Sequence, residues 1–254
     1  MNEHLRIDDR DGVRTITIDR PEVKNALTRA MRDDLCALLA DSDRDDAVRV
    51  LVLAAVDPVF SAGVDFKEVA AATGRMPLSE TNPGAALRAM GKPVICAVNG
   101  ACVSGALEIA LSSTFVVASD RARFADTHAR LGVVATWGLT ALLPRAVGVR
   151  KAAEMSITGN FIDAAEAFRL GLVNHVVPHE ELLGFTAKLA SEVAETRAVA
   201  EVLSLYRRGD AMSLSDALAL EAEHTRDRPF DPAAFGAAGT STAQRGSANA
   251  GATS

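Results

Sequence analysis

Hydrophobic side chains recur with two different periods along this chain, and the shorter period marks strands. Residues 13–20 (VRTITIDR) alternate apolar and polar positions, which predicts a strand with one buried face. Residues 48–56 (VRVLVLAAV) form a continuous apolar run rich in valine, as expected of a strand buried on both faces. Three further segments have the length and composition of strands: residues 93–100, 113–120 and 173–178.

The longer period marks helices that alternate with these strands. Helical patterns dominate after Leu139, and residues 180–226 are almost wholly helical in pattern. The alternation of strands and helices predicts an α/β fold with parallel crossover connections. The first predicted helix, within residues 27–43, has an apolar face made of Leu27, Met31, Leu35, Leu38 and Leu39.

The composition is that of a globular protein with a large aliphatic core. The chain has 254 residues, of which 48% are hydrophobic and only 4% aromatic. The formal net charge is −6, and no basic run is long enough to follow a phosphate backbone, so nucleic acid is not an expected partner. The longest apolar stretch, residues 93–111, is interrupted by Asn99, Ser104 and Glu108, which argues against a membrane span.

The amino-terminal residues and the cysteines indicate a cytoplasmic protein. The opening segment MNEHLRIDDRDG is polar and acidic, unlike a signal peptide. Cys36, Cys96 and Cys102 show no metal-ligand spacing, and an odd number of cysteines without a secretion signal indicates reduced thiols. We therefore expect a cytoplasmic location and no metal site.

Two segments share a small-residue turn between a strand and a helix start. They are residues 59–68 (VFSAGVDFKE) and residues 98–111 (VNGACVSGALEIAL). Such turns leave backbone N–H groups free to point into a cleft. If the N–H groups of Val64 and Gly105 converge, they form an oxyanion hole for the enolate or tetrahedral anion of a carbonyl compound. Each turn alone is also explained as a plain connection between a strand and a helix.

A glutamate in the second of these segments favours the functional interpretation. Glu108 lies inside the apolar run SGALEIAL, three residues or about one helical turn after Gly105. A buried carboxylate without a partner is costly, so this group must be paired, protonated or functional. We expect Glu108 to face whatever the Gly105 N–H binds.

These residues resemble the enoyl-CoA hydratase/isomerase (crotonase) superfamily. The matching segments occur in family order and spacing, and together they cover residues 5 to 230 approximately. Any one segment is a weak signal, whereas five in order are specific. The five segments are DRPEVKNAL (19–27), FSAGVDFKE (60–68), KPVICAVNGACVSGALEIAL (92–111), LTALLPRAVG (139–148) and ITGNFIDAAEAFRLGLVNHVV (157–177).

The resemblance implies an α/β fold, a spiral of repeated ββα units followed by a helical region that mediates trimerisation. The corresponding boundaries here are a core of residues 1–195, a helical region of residues 196–235 and a flexible tail of residues 236–254. Family members form homotrimers or homohexamers, bind acyl-coenzyme A as substrate and use no separate cofactor. The resemblance places the oxyanion hole at Val64 and Gly105. It places substrate and coenzyme A binding at Lys24, Ala26, Ala62, Gly63, Val64, Asp65 and Phe66, with Trp137 beside the acyl site.

Two positions depart from the family pattern. Hydratases of the family carry two glutamates twenty residues apart; Glu108 matches the first, but His128 stands at the second. Asp126 precedes this histidine by two residues, and if the segment is extended the two side chains share one face, where Asp126 could hold the imidazole. A family P-G-A-G-G-T segment reads ATWGLT here, so Trp137 replaces a small residue. Trp137 either packs in the core or reshapes the acyl pocket.

The resemblance implies an acyl-CoA enzyme, in the first place an enoyl-CoA hydratase of fatty acid metabolism. In that reaction Glu108 orients the water and His128 supplies the proton. Isomerisation, thioester hydrolysis or decarboxylation through Glu108 alone also fits the oxyanion hole. A family member that binds acyl-CoA without catalysis, with His128 only lining the pocket, is the third possibility.

Overall fold

The computed structural model describes residues 2–71 and 81–226, together with isolated positions between 228 and 242. Contacts divide the chain into two compact units, residues 1–203 and 204–254. The predicted boundaries after residues 195 and 235 remain predictions. Most of the predicted flexible tail, residues 236–254, lies outside the described residues.

Strands are concentrated in the first unit. Five of them, β2, β3, β4, β6 and β9, lie within the five segments predicted from hydrophobic periodicity, while the short or polar strands β1, β5, β7 and β8 were not predicted. The strands are β1 (Leu5–Arg10), β2 (Val13–Ile18), β3 (Val50–Ala55), β4 (Val94–Val98), β5 (Ala101–Val103), β6 (Phe115–Ser119), β7 (Arg123–Ala125), β8 (Ile162–Asp163) and β9 (His175–Val177).

Helices connect the strands and make up the carboxy-terminal part of the chain. The predicted helical character of residues 180–226 is confirmed by three successive helices, α8 to α10. The helices are α1 (Arg29–Arg44), α2 (Phe66–Ala71), α3 (Pro83–Ala89), α4 (Gly105–Ser112), α5 (Leu139–Val147), α6 (Val149–Thr158), α7 (Ala164–Leu170), α8 (Leu182–Ala194), α9 (Val199–Gly209) and α10 (Leu214–Arg226).

The strands form two sheets that bring distant turns together. The six-stranded sheet has the order β1-β2-β3-β4-β6-β9, in which β1 is antiparallel to β2 and the other neighbours are parallel. The second sheet has the order β5-β7-β8. Because β4 lies in the first sheet and β5 in the second, the turn between them carries the chain from one sheet to the other. This arrangement confirms the predicted α/β class.

Both faces of the central strands are buried, which explains their continuous apolar sequences. In β3, Leu51 and Leu53 point into the larger core, whereas Val50, Val52 and Ala54 pack in a second cluster with α8. β4 divides its side chains between the two clusters in the same way. The two-sided burial predicted for residues 48–56 is therefore confirmed.

One corner of the fold depends on a buried asparagine. Asn25 has a left-handed backbone with φ 53°, and its side chain is fully buried. Its Nδ2 donates to the carbonyl oxygens of Val56 and Val59, each at 2.7 Å, and its Oδ1 accepts from the N–H of Arg20 at 2.8 Å. Asparagine tolerates the left-handed region better than most residues. Asn25 thus ties the turn before α1 to the segment that follows β3.

We expect Asn25→Ala to lower the free energy of unfolding by about 2–4 kcal/mol, because it leaves three partly buried backbone groups without their side-chain partner. Urea unfolding followed by circular dichroism measures the change. Lys24→Ala is the control, because Lys24 shares the left-handed backbone but has an exposed side chain. A loss for Asn25→Ala no larger than that of Lys24→Ala would contradict the role of the hydrogen bonds.

Candidate active site

The two turns singled out in the sequence lie side by side. The segment after β3 pairs with β5, because the Ser61 N–H donates to the Ala101 carbonyl and the Val103 N–H donates to the Ser61 carbonyl, both at 3.1 Å. A further bridge joins Val64 to Leu27. This pairing fixes the 61–64 turn against the strand that leads into α4.

Close contact at Gly63 brings the two predicted oxyanion donors near each other. Gly63 has φ +88°, and a β-carbon on it would lie 2.8 Å from the Val103 carbonyl oxygen and 3.2 Å from the Gly105 nitrogen. Among the residues that the structure describes, neither the Val64 nor the Gly105 N–H has a hydrogen-bond acceptor. The arrangement is compatible with an oxyanion hole, which remains a prediction for these two groups.

Glu108 is held in the first turn of α4 with one oxygen bound and the other directed at His128. Its side chain is buried. Oε1 accepts from the backbone N–H of Trp137 at 2.6 Å and of Leu139 at 3.2 Å. Oε2 lies 3.8 Å from the Nε2 atom of His128. Burial raises the pKa of Glu108, and the hydrogen bonds from Leu139 and Trp137 and the nearby imidazole only partly offset this effect.

His128 and Asp126 are in contact, but not in the way that the sequence suggested. The extended segment ends with β7 at Ala125, and His128 has a helical backbone with φ −56° and ψ −49°. The two side chains meet in a tight turn, in which Asp126 Oδ1 accepts from the His128 N–H at 3.1 Å and lies 2.6 Å from Nδ1. The assumption of a shared strand face was wrong; the predicted contact is present.

Trp137 is part of the wall behind Gly105. The side chain is 1% exposed. A β-carbon on Gly105 would come within 2.9 Å of its ring, so only glycine fits between the α4 backbone and the indole. The backbone carbonyl of Trp137 accepts a hydrogen bond from the Arg88 side chain at 2.7 Å, and the backbone N–H of Trp137 donates to Glu108. The structure places Trp137 as a packing residue that also positions the glutamate; its contact with an acyl group remains a prediction.

The residues predicted to bind coenzyme A form one continuous loop surface. The Ala62 N–H donates to the Lys24 carbonyl at 3.0 Å, and the Leu27 N–H donates to the Gly63 carbonyl at 2.8 Å. Lys24, Ala62 and Phe66 are exposed, and Phe66 is 65% exposed. Ala26, Gly63 and Asp65 are buried and shape the loop from within.

Sequence reasoning missed two residues that hold this loop. Arg20 donates to Asp65 Oδ2 at 2.6 Å and to the Ala26 carbonyl at 3.1 Å, and the ion pair lowers the pKa of Asp65. Asn25 anchors the same turn through its side-chain amide. The available signal was the polar cluster in DRPEVKN, where turn-forming residues stand between a strand and a helix.

A separate cavity of about 740 Å³ lies on the other face of the large sheet. It is lined by residues on the side of β2 and β3 that faces α8, including Thr15 and Val52, and by Leu182 and Thr186 of α8. None of the predicted site residues lines it. The predicted chemistry therefore belongs to the turns around Gly105 and not to this cavity.

Comparison with known proteins places this fold and site in one family. The family model described as "Enoyl-CoA hydratase/isomerase" matches residues 8–229. A protein of Arabidopsis thaliana named "Probable enoyl-CoA hydratase 1, peroxisomal" is 37% identical over 215 residues, which are 84% of this chain and 81% of that protein. Carnitinyl-CoA dehydratase of Escherichia coli K12 is 33% identical over 225 residues, which are 85% of each chain.

Solved structures agree with this assignment. The crystal structure of an enoyl-CoA hydratase from Mycobacterium tuberculosis H37Rv is 43% identical and has a TM-score of 0.75, with 88% of this chain and 98% of that chain covered. The chain belongs to the enoyl-CoA hydratase/isomerase family, which confirms the predicted crotonase-like fold. In the part of the chain that the structure describes, no helix is long and apolar enough to cross a membrane.

Because the pKa of Glu108 is raised in the folded protein, we expect its contribution to the free energy of unfolding to fall as the pH rises. Below pH 4.5, the ordinary value, the carboxyl group is protonated in both the folded and unfolded states. As the pH increases, the unfolded state releases this proton first, so stability is lost through the window from 4.5 to the raised folded value.

We therefore expect Glu108→Gln to match the wild type in stability near pH 4 and to exceed it near pH 8. The amide oxygen keeps an acceptor for the two backbone N–H groups. Denaturant unfolding of both proteins across this pH range measures the difference. Glu154→Gln, on the exposed side of α6, serves as the control and should show no such divergence. A wild type that gained stability over Glu108→Gln with rising pH would contradict the expected ionisation behaviour.

Proposed function

We propose that this protein is an enoyl-CoA hydratase, a hydro-lyase that adds water to a 2-enoyl-CoA. The observation that supports this function best is the facing pair Glu108 Oε2 and His128 Nε2, 3.8 Å apart beside the start of α4. Hydration needs two proton-handling groups, one at Cβ for the water and one at Cα. The names of the family relatives agree with this reaction.

The backbone N–H groups of Val64 and Gly105 are the proposed donors to the thioester oxygen. When water adds to Cβ, negative charge accumulates on this oxygen as the enolate forms. Donors that are already fixed by β5 pairing and by the Gly63 contact need no rearrangement as the charge develops. Polarisation of the carbonyl in the same way makes Cβ more electrophilic.

Glu108 and His128 divide the proton transfers in this proposal. Glu108 accepts a hydrogen bond from the water and takes its proton as the hydroxyl group bonds to Cβ. His128 in its charged form gives a proton from Nε2 to Cα of the enolate. The proton on Glu108 then returns to the neutral imidazole across the gap between the two groups, so that the net change is one water added and the enzyme restored.

Coenzyme A enters only as part of the substrate in this proposal, and no resident metal or redox cofactor takes part. The loop around Lys24, Ala26 and residues 62–66 is the proposed binding surface for the adenine and pantetheine. The exposed residues Lys24, Ala62 and Phe66 of this loop support this assignment. We also propose that the protein acts in the cytoplasm, in agreement with its reduced-thiol composition.

Crotonyl-CoA tests the proposed reaction directly. We expect the wild type to remove the conjugated-enoyl absorbance, and we expect Glu108→Gln and His128→Ala each to lower kcat roughly 10²- to 10⁴-fold, the usual contribution of a general acid or base. The control is Glu154→Gln, which removes an exposed carboxylate elsewhere and should leave kcat unchanged.

The outcomes separate the alternatives. A wild-type rate no higher than that of Glu108→Gln would argue against hydration of short chains. Full activity in His128→Ala would mean that His128 takes no part in the hydration and would contradict its proposed role. Binding of acetyl-CoA in a calorimeter, with no turnover of enoyl substrates of several chain lengths, would favour a non-catalytic member.

Self-association is the second part of the proposal. We expect the protein to form trimers or hexamers, as members of this family do. Light scattering on the full chain should give the mass of three or six chains of 26.6 kDa. A single-chain mass at micromolar concentration would contradict this expectation.

A further inference from the structure

The structure places a second carboxylate behind His128, on the side away from Glu108. Asp126 Oδ1 lies 2.6 Å from Nδ1, and the same oxygen accepts from the His128 backbone N–H. The other ring nitrogen, Nε2, is the one that faces Glu108. The imidazole is therefore held between two carboxylates that differ in their environment and in what they bind.

Asp126 is itself firmly held. The residue is 3% exposed, and it follows directly after β7, whose last residue is Ala125. Burial alone would raise the pKa of Asp126, but hydrogen bonds from His128 and from the hydroxyl of Ser156 on α6 outweigh it and lower the pKa. The carboxylate is thus an ionised acceptor near neutral pH, and the Nδ1 atom that it contacts carries a hydrogen.

The contact with Asp126 determines which nitrogen of the neutral His128 ring carries the hydrogen. A neutral imidazole has one N–H, and the hydrogen bonds that the ring makes decide which of its two nitrogens carries the hydrogen. With Nδ1–H donating to Asp126, the lone pair of the neutral ring lies on Nε2, towards Glu108. Protonation then adds the second hydrogen at Nε2, the position from which a proton can be delivered.

We propose that Asp126 is a positioning residue that fixes the tautomer and orientation of His128, so that the proton handled by this histidine is always at Nε2. The proposal rests on the proposed hydratase function and assigns Asp126 a part in it. Glu108 on α4 faces Nε2 of His128, and Asp126, which accepts a hydrogen bond from Ser156 on α6, faces Nδ1. Asp126 has no direct contact with substrate in this scheme.

A double-mutant cycle separates this role from simple structural support. We expect Asp126→Asn to lower kcat roughly 10²-fold with KM nearly unchanged, because a misoriented or wrongly protonated imidazole loses its general acid role. In the His128→Ala background, the same Asp126→Asn change should alter kcat by less than about threefold, because the group through which it acts is absent. A comparable loss in both backgrounds would overturn the proposal.

A matched control, a milder variant and a replacement variant guard against misfolding. Asp163→Asn makes the same chemical change at the start of α7, where Asp163 also accepts a backbone N–H, and should leave kcat unchanged. Ser156→Ala removes the hydroxyl bond to Asp126 but keeps the carboxylate, so kcat should fall by less than about threefold. If Asp126→Asn does not fold, Asp126→Ala, which also removes the carboxylate from Nδ1, replaces it in the cycle with the same two outcomes.

A spectroscopic measurement tests the positioning without any activity. Selective ¹⁵N labelling of the five histidines, with His128 assigned by the signal lost in His128→Ala, reports which ring nitrogen carries hydrogen. The wild type should show the Nδ1–H form for the neutral ring, and Asp126→Asn should lose this preference. An unchanged tautomer in Asp126→Asn would overturn the proposal. A correct tautomer in a wild type without hydratase activity would instead contradict the proposed function alone.

Discussion

The buried carboxylate of Glu108 is the interaction on which the rest of the site depends. A carboxylate inside an apolar helix start is costly to bury, and here two backbone N–H groups of the segment before and at the start of α5 offset part of that cost. The same two hydrogen bonds fix the position of Trp137, whose ring lies against Gly105. One buried acidic group thus joins α4 to the segment that forms the wall of the site.

Burial and the neighbouring groups act on the pKa of Glu108 in opposite directions, and burial has the larger effect. Desolvation raises its pKa, whereas the two N–H donors and the His128 imidazole favour the ionised form. A buried carboxyl group with a raised pKa costs stability as the pH rises, and in the proposed reaction this cost is offset by the role of Glu108 in proton transfer.

The sequence predicted the large-scale order of the fold better than the details of the site. Residues 48–56 were recognisable because two-sided burial requires apolar side chains at every position, and β3 follows that rule. β5 and β7 have three residues each and were not predicted, whereas the equally short β9 lies inside a six-residue segment with the composition of a strand. Gly105 and Glu108 were predictable as a pair because one helical turn separates them, and the structure keeps that spacing.

Hydrophobic periodicity did not predict the contacts that turns make. The Asp126–His128 contact was inferred from a strand geometry that the segment does not have; a tight turn after β7 produces it instead. Asn25 acts from a left-handed backbone, and Arg20 acts through a long side chain that reaches a distant part of the chain. Such contacts depend on where the chain returns in space, and no local pattern encodes that.

A histidine in place of a carboxylate needs different charge and hydrogen-bond partners from the residues around it. Two facing glutamates repel each other when both are ionised, whereas an imidazole between Glu108 and Asp126 can carry the compensating charge. Histidine also brings a choice of tautomer that a carboxylate does not have, and that choice needs a fixed acceptor on the far side of the ring. Residues 126 and 128 therefore form one functional unit in the proposed reaction. A comparison that examines only the glutamate position would record a lost catalytic residue, whereas in the proposed reaction the turn as a whole supplies a different acid, His128, with Asp126 as its support.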